Sequence, residues 1–450
     1  MRRNRWPLIL HTVFALVLWT ALLGASASGM TGHSVFFFDY ANGTGFHTGF
    51  TVDASGNIWG LSAFGGAYGY GNVFQLTRST GGQLTENVLY SFTGGNDGGT
   101  PIDDDGPLID SAGNVYGTTS GGGTYNGGTV FKLTHSSSGW QESVLWNFTC
   151  GNDGCGPEAS LVSDSAGILY GTTSAGGPGG IGYGTVFELS PDASGNWKET
   201  SLHIFSGAGD GAGPLSSLIF DRSGNLYGAT SAGGYYIIPQ GCDFAGFFGC
   251  GVIFKLTRGV VGEWEEQVLY AFQDGNDGAF PSGKLVFDAS GNIYGVSEFA
   301  GNLSCNFIGC GTVFRLAPPA SSGGQWNLST LHAFTGGSDG ASPVEGVIVD
   351  RTGVVYGTAT GGGKGKCLFG GTTGCGTLYR IAPTVNGGWN FELLYSFLGR
   401  TDGGVPFKIT FVGSSAYTPT GEGGSDGSDV CRHTSLGSCG TIFQLSTTSQ

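Results

Sequence analysis

Along the chain from about residue 30 onward, short apolar runs rich in Val, Phe, Tyr and Thr alternate with clusters of Gly, Asn and Asp. Such runs between turn-forming clusters predict β-strands, and no 3.6-residue periodicity predicts helices. The pattern recurs seven times. Its clearest segment is Asp-x-x-Gly-Asn-apolar-Tyr-Gly, at 53–60 (with Trp59 in the aromatic place), 110–117, 221–228 and 288–295. Copies at 164–171 and 350–357 lack the Asn, and a worn copy at 412–418 keeps Tyr417. The aromatic positions 59, 116, 170, 227, 294, 356 and 417 set a spacing of 54 to 67 residues.

Each period holds four strand-like runs. The first ends at the Asp, as in Lys284-Leu285-Val286-Phe287, and the second is the Asn-apolar-Tyr-Gly run. The third is Gly-Thr-Val-Phe-x-Leu or a close variant, at 128–133, 184–189, 311–316 and 440–445. The fourth is apolar and aromatic, at 88–92, 144–148, 268–272 and 393–397. Four strands per period predict an all-β protein, a seven-bladed β-propeller in one domain spanning 28–450. The last copy stops after its third strand. Ser34-Val35-Phe36-Phe37-Phe38 matches a fourth strand and is expected to complete the last blade, leaving no wide open sheet edge.

The motif Gly113-Asn114-Val115-Tyr116-Gly117-Thr118-Thr119 followed by Gly128-Thr129-Val130-Phe131, with its copies, resembles the GloVer tandem repeats of bacterial exported proteins. The resemblance covers nearly the whole chain after the leader. It implies export and a propeller, and it implies no activity. Some members of that family end in a surface-anchoring tail, which the closing Ser446-Thr447-Thr448-Ser449-Gln450 does not resemble.

Composition sharpens this picture. Glycine is abundant at 89 residues, which alone could mean disorder, but 31 Phe and 39% hydrophobic residues supply a large core. Arg2, Arg3 and Arg5 precede an apolar run from Trp6 to Gly24, and Ala25-Ser26-Ala27 fits a cleavage site. Residues 1–27 are therefore expected to be a signal peptide, with an uncleaved membrane anchor as the alternative. The net charge is −15, more negative still without the leader arginines, which argues against a nucleic-acid partner. Ten cysteines fall in five close pairs: Cys150/Cys155, Cys242/Cys250, Cys305/Cys310, Cys367/Cys375 and Cys431/Cys439. An even count in an exported chain predicts local disulfides, and the spacing fits zinc knuckles poorly. The expected location is secreted or cell-surface, with the periplasm as a further option.

In a four-stranded meander, the long loops between second and third strands share one end of the propeller with the blade-entry loops. Four cysteine pairs belong to the former and Cys150/Cys155 to a blade-entry loop. Variable loops on a rigid scaffold are where binding usually resides. Aromatic residues collect there: Tyr68, Tyr70, Tyr125, Tyr183, Phe244, Phe307, Phe369 and the cluster Tyr235, Tyr236, Phe247 and Phe248, the expected ligand contacts. They could stack on sugars or a protein partner, or cover one another. Asp-Gly-x-x-Pro recurs at Asp97/Pro101, Asp153/Pro157, Asp210/Pro214, Asp277/Pro281, Asp339/Pro343 and Asp402/Pro406. Six aspartates are thus expected around the channel mouth, with Asp103-Asp104-Asp105 adding charge. Asp-Gly is an ordinary turn pair; calcium is the alternative reading, although no copy matches an EF-hand loop.

No catalytic residue is assigned. Two Gly-x-Ser-x-Gly matches, at 336–340 and 423–427, lack the strand-to-helix context of a nucleophile elbow. His203 and His332 hold the fourth-strand place occupied elsewhere by Tyr90, Trp146, Tyr270 and Tyr395, and are expected to pack there. The expected function is a glycan- or protein-binding module without a cofactor. The alternatives are a carbohydrate-active hydrolase or lyase using channel-mouth carboxylates, and a structural surface or matrix component.

Overall fold

A computed structural model describes residues 30–44, 49–178, 182–234, 242–244, 247–259, 262–305, 308–321, 323–369, 372–423 and 439–447. The chain forms seven antiparallel blades around a central channel. Blade 1 spans residues 51–91, blade 2 108–147, blade 3 162–204, blade 4 219–271, blade 5 279–333 and blade 6 347–396. Blade 7 combines strands within 404–447 with the N-terminal strand Met30–Phe37.

The repeat motif follows from cross-strand contacts. The Gly of each Tyr-Gly pair sits opposite the third-strand aromatic, as in Gly117 and Phe131. A Cβ at Gly60, Gly117, Gly171, Gly228 or Gly295 would meet the ring of Phe74, Phe131, Phe187, Phe254 or Phe314 at 2.5 to 2.7 Å. These rings are fully buried. Glycine is therefore required to let each blade close over its own aromatic. Adjacent blades meet through a second layer, in which the Trp opening a fourth strand packs on the second-strand aromatic of the preceding blade. Examples are Trp140 on Trp59 at 5.9 Å and Trp264 on Tyr170 at 6.3 Å.

The N-terminal strand completes blade 7. Met30–Phe37 pairs with Thr441–Thr447 from Met30↔Thr447 to Phe37↔Thr441, a longer strand than 34–38. Its register breaks between Ser34 and Phe36, leaving Val35 as a bulge. The outer strand of blades 1 and 2 breaks in the same place, at Leu89 and Leu145. Phe38 N–H donates to Gly440 O as Phe92 N–H does to Gly71 O. In blade 7, Thr418 stands where the Tyr-Gly glycine would, and the Phe443 ring lies against Gly32 of the closing strand instead. No helix among the described residues is long and apolar enough to cross a membrane.

Candidate functional site

The two aspartate motifs are built into the scaffold. Asp53 Oδ1 accepts the backbone N–H groups of Ser55 and Asn57 at 2.9 Å, and its Oδ2 accepts Asn57 Nδ2 at 2.8 Å and Trp59 Nε1 at 3.0 Å. Asp110, Asp221 and Asp288 repeat this pattern with the Tyr116, Tyr227 and Tyr294 hydroxyls as donors. Burial alone would raise these carboxyls. The Asn and aromatic donors outweigh it and hold them below the usual range. One turn thus consumes every polar residue of the motif.

The Asp-Gly-x-x-Pro aspartates do not ring the channel, and that expectation is corrected. Each lies just after the outermost strand and accepts a bond from the polar ring seven residues earlier. Tyr90 donates to Asp97 at 2.9 Å, Trp146 to Asp153 at 3.3 Å, Tyr270 to Asp277 at 2.9 Å and Tyr395 to Asp402 at 3.1 Å. His203 meets Asp210 at 3.2 Å and His332 meets Asp339 at 3.0 Å, so the histidines take over both the packing place and the bond. Asp210 is held at about 2, because bonds from His203 and Ser206 outweigh the effect of burial. The Pro of the motif packs on the Gly that opens the third strand. No three His, Cys, Asp or Glu residues form a metal-binding group among the described residues.

The long loops solve one packing problem in two ways. Past each outer strand, the entry loop turns through a left-handed residue: Gly94 (φ 75°), Gly207 (φ 77°), Gly336 (φ 73°) and Gly399 (φ 76°). In blades 1 and 3 a tyrosine covers it, so that a Cβ on Gly94 or Gly207 would strike the ring of Tyr70 or Tyr183. In blades 5 and 6 a disulfide stands there instead, Cys305–Cys310 over Gly336 and Cys367–Cys375 over Gly399. Cys242–Cys250 of blade 4 borders Asp274, which holds the equivalent left-handed place with φ 57°. Cys150, with φ 60°, occupies that place itself and bonds to Cys155 within its own entry loop. Four expected disulfides are therefore present and local. The fifth expected pair, Cys431/Cys439, is described at one end alone. Cys439 is buried beside the third strand of blade 7 and is disulfide-bonded, whereas Cys431 lies outside the described residues.

With its place taken by Cys150–Cys155, the blade 2 loop leaves Tyr125 61% exposed. Tyr125 heads an open groove of about 720 Å³ between blades 2 and 3, lined also by Trp146, Trp197, Lys132, Asn147 and Asn196. The groove descends the outer flank from the long-loop end. At the expected fourth-blade site, Asp243–Phe244 and Phe247–Phe248 form a small hairpin within the Cys242–Cys250 loop. Tyr235 and Tyr236 lie outside the described residues.

The channel holds the chain's departures from the repeat. The Asp103-Asp104-Asp105 segment reaches across it. Asp104 accepts Ser217 N–H at 2.9 Å and the Ser217 hydroxyl from blade 4's inner strand segment, and Ser160 N–H at 3.3 Å from that of blade 3. Asp105 pairs with both Lys284 and Lys408. These ammonium groups outweigh burial and hold Asp105 at about 2. Burial pushes Asp103 up to about 8 and Glu345 well above the usual range. Asp103 Oδ2 and Glu345 Oε2 have no hydrogen-bond partner among the described residues.

A family model, the Gloeobacter/Verrucomicrobia repeat, matches residues 25–238, 179–369 and 241–432. The chain belongs to that repeat family. No curated protein matches it. Among solved structures, it is similar to a gluconolactonase from Xanthomonas campestris, at 15% identity over 78% of this chain and 87% of the other, with a TM-score of 0.38. A putative oxidoreductase (glucose dehydrogenase) from Thermus thermophilus is 14% identical over 74% and 94%, with a TM-score of 0.38. The pyranose dehydrogenase PQQ domain from Coprinopsis cinerea is 10% identical over 93% and 95%, with a TM-score of 0.40. These likenesses are too distant to carry chemistry to this chain.

Within the repeat family's pattern, the channel residues Lys284, Glu345 and Lys408 escaped sequence reasoning. Each follows the entry-loop Pro by two or three residues, in a stretch with no repeated motif. The available signal was a charged residue just after that Pro, Lys284, Glu345 or Lys408 here and Glu158 or Asp103 in two other copies, with no charge in the blade 4 copy.

Proposed function

We propose that the protein is an exported binding module, with residues 1–27 as its leader, and that its ligand is a carbohydrate held in the groove between blades 2 and 3. The observation that carries this reading is the convergence of Tyr125, Trp146 and Trp197 on one open groove that also offers Lys132, Asn147 and Asn196. Sugar rings present apolar C–H faces to aromatic rings and hydroxyls to amides and ammonium groups, which is the lining found here. The four disulfides fit an oxidising compartment. The fourth-blade loop bearing Tyr235, Tyr236, Phe247 and Phe248 is a second surface for the same kind of ligand, or for a protein.

A glycan array probed with the full secreted chain tests this. Tyr125→Ala and Trp197→Ala are expected to weaken a retained glycan about ten- to hundredfold, the usual cost of truncating an aromatic anchor. Trp197 also packs on the blade 2 core, so the exposed Tyr125 is the cleaner position. Unchanged affinity in both variants, with loss in Phe248→Ala, moves the site to blade 4. Release of a cleaved sugar by the parent, abolished by Asp103→Asn or Glu345→Gln, places the protein with carbohydrate-active enzymes instead.

A further inference from the structure

The channel opens at the end opposite the long loops into a cavity of about 400 Å³. Its walls are the first strands of blades 2, 3 and 4, represented by Leu108, Ile109, Val162 and Phe220, and the Asp105–Lys284 pair also lines it. An open pocket of this size, with apolar strand residues and a few charged and polar groups in its lining, has room for a small molecule. The polar groups are specific to this place: Asp105 comes from blade 2's entry segment and Lys284 from blade 5, and no other blade carries either residue at the matching position.

The hydrogen-bond inventory determines which ligand fits. Asp105 has both oxygens engaged, Oδ2 by Lys284 and Oδ1 by Lys408. An ammonium carries three donors. Lys284 donates one to Asp105 and keeps two, and its side chain is 24% exposed, against 9% for Lys408. Lys284 therefore offers two spare donors to the cavity, beside an Asp105 carboxylate that already faces two ammonium groups. Behind it, burial raises the carboxyls of Asp103 and Glu345 and favours their neutral forms.

We propose that this mouth of the channel binds a small molecule with an apolar body and one oxygen-acceptor head, a carboxylate or a carbonyl, seated on Lys284. The site is separate from the blade 2–3 groove, so the two readings stand or fall independently.

Saturation-transfer NMR on the full chain with hexanoate, 2-hexanone and hexylamine tests the proposal. Transfer to hexanoate or 2-hexanone, and none to hexylamine, is the expected result. The ratio of the first two separates a charged from a neutral head. Ile109, which lines the mouth and packs on the blade 1–2 core, takes no part in the ion pairs, and Ile109→Trp is expected to crowd the mouth and abolish the signal. Lys284→Met is expected to weaken it at least tenfold, while Tyr125→Ala leaves it unchanged. Equal transfer to hexylamine, no transfer to any probe, or undiminished binding in Ile109→Trp overturns the proposal. Should Lys284→Met fail to fold, Ile109→Trp decides alone.

Discussion

The loops of blades 1 and 3 and those of blades 5 and 6 cover the same left-handed glycine with different chemistry. A tyrosine ring does it on one side of the propeller, and a disulfide does it on the other. These disulfides therefore fill a local gap beneath a loop and do not hold the ring together, because none of the four described in full joins two blades. Closure belongs to the N-terminal strand, which joins residues more than 400 positions apart. The two covers also differ in what they leave outside. Tyr70 remains 49% exposed and Tyr183 37%, whereas Cys305 and Cys310 are buried. The tyrosine covers of blades 1 and 3 thus keep aromatic surface available to a partner.

No disulfide is expected to replace ring closure. Deleting 30–38 exposes the edge of blade 7 and uncovers Phe443 and Leu445, so aggregation or loss of a cooperative thermal transition is expected even with every disulfide intact. Size-exclusion chromatography with a thermal melt reads this out, and a parent-like transition would refute the division of labour.

Smaller effects compare the two covers directly. Replacing Cys305 and Cys310 together by Ser is expected to cost about 2 kcal/mol, the chain-entropy value for so short a loop. Tyr183→Ala, which uncovers Gly207 but removes a ring already part-exposed, is expected to cost about 1 to 2 kcal/mol. Denaturant melts measure both. A negligible loss for Tyr183→Ala beside the full loss for the cysteine pair would show that the tyrosine is not an equivalent cover.

A third asymmetry between the blades depends on pH. In blades 1 to 4 the outer strand carries Glu86, Glu142, Glu199 and Glu266 at the register that Leu328 and Phe391 fill in blades 5 and 6. Burial pushes Glu86 up to about 8 and the other three to about 7, with Asp39, Asp97, Asp153 and Asp210 respectively adding repulsion. The folded chain therefore holds more protons than the unfolded chain between about pH 4.5 and about 8, and stability falls as pH rises through that window. Glu142→Leu is expected to raise the melting temperature at pH 8 by a few degrees and to change it less at pH 5. An equal shift at both values would remove the electrostatic account.

Much of this architecture was legible because the fold repeats. Seven copies of one turn motif revealed blades, strand order and closure, since the motif residues serve contacts that recur from blade to blade, such as Asp53 with Asn57 and Trp59. The local pairing of the four described disulfides was legible for the same reason. The channel was not, because Lys284, Glu345 and Lys408 each occur once and meet only when the ring closes. The aspartates of Asp-Gly-x-x-Pro misled for a geometric reason. They precede the first strand in sequence yet stand beside the last strand of the blade before, at the outer rim.

Hydrogen exchange resolved by peptide compares the covers most directly. The parent would be measured beside a variant with Cys242, Cys250, Cys305, Cys310, Cys367 and Cys375 all changed to Ser. Local covers predict faster exchange confined to the 242–250, 305–310 and 367–375 loops and to the entry-loop segments around Asp274, Gly336 and Gly399, with blades 1 to 3 unchanged. Faster exchange spreading through the strands of blades 1 to 3 would contradict the account and make the disulfides staples of the whole ring.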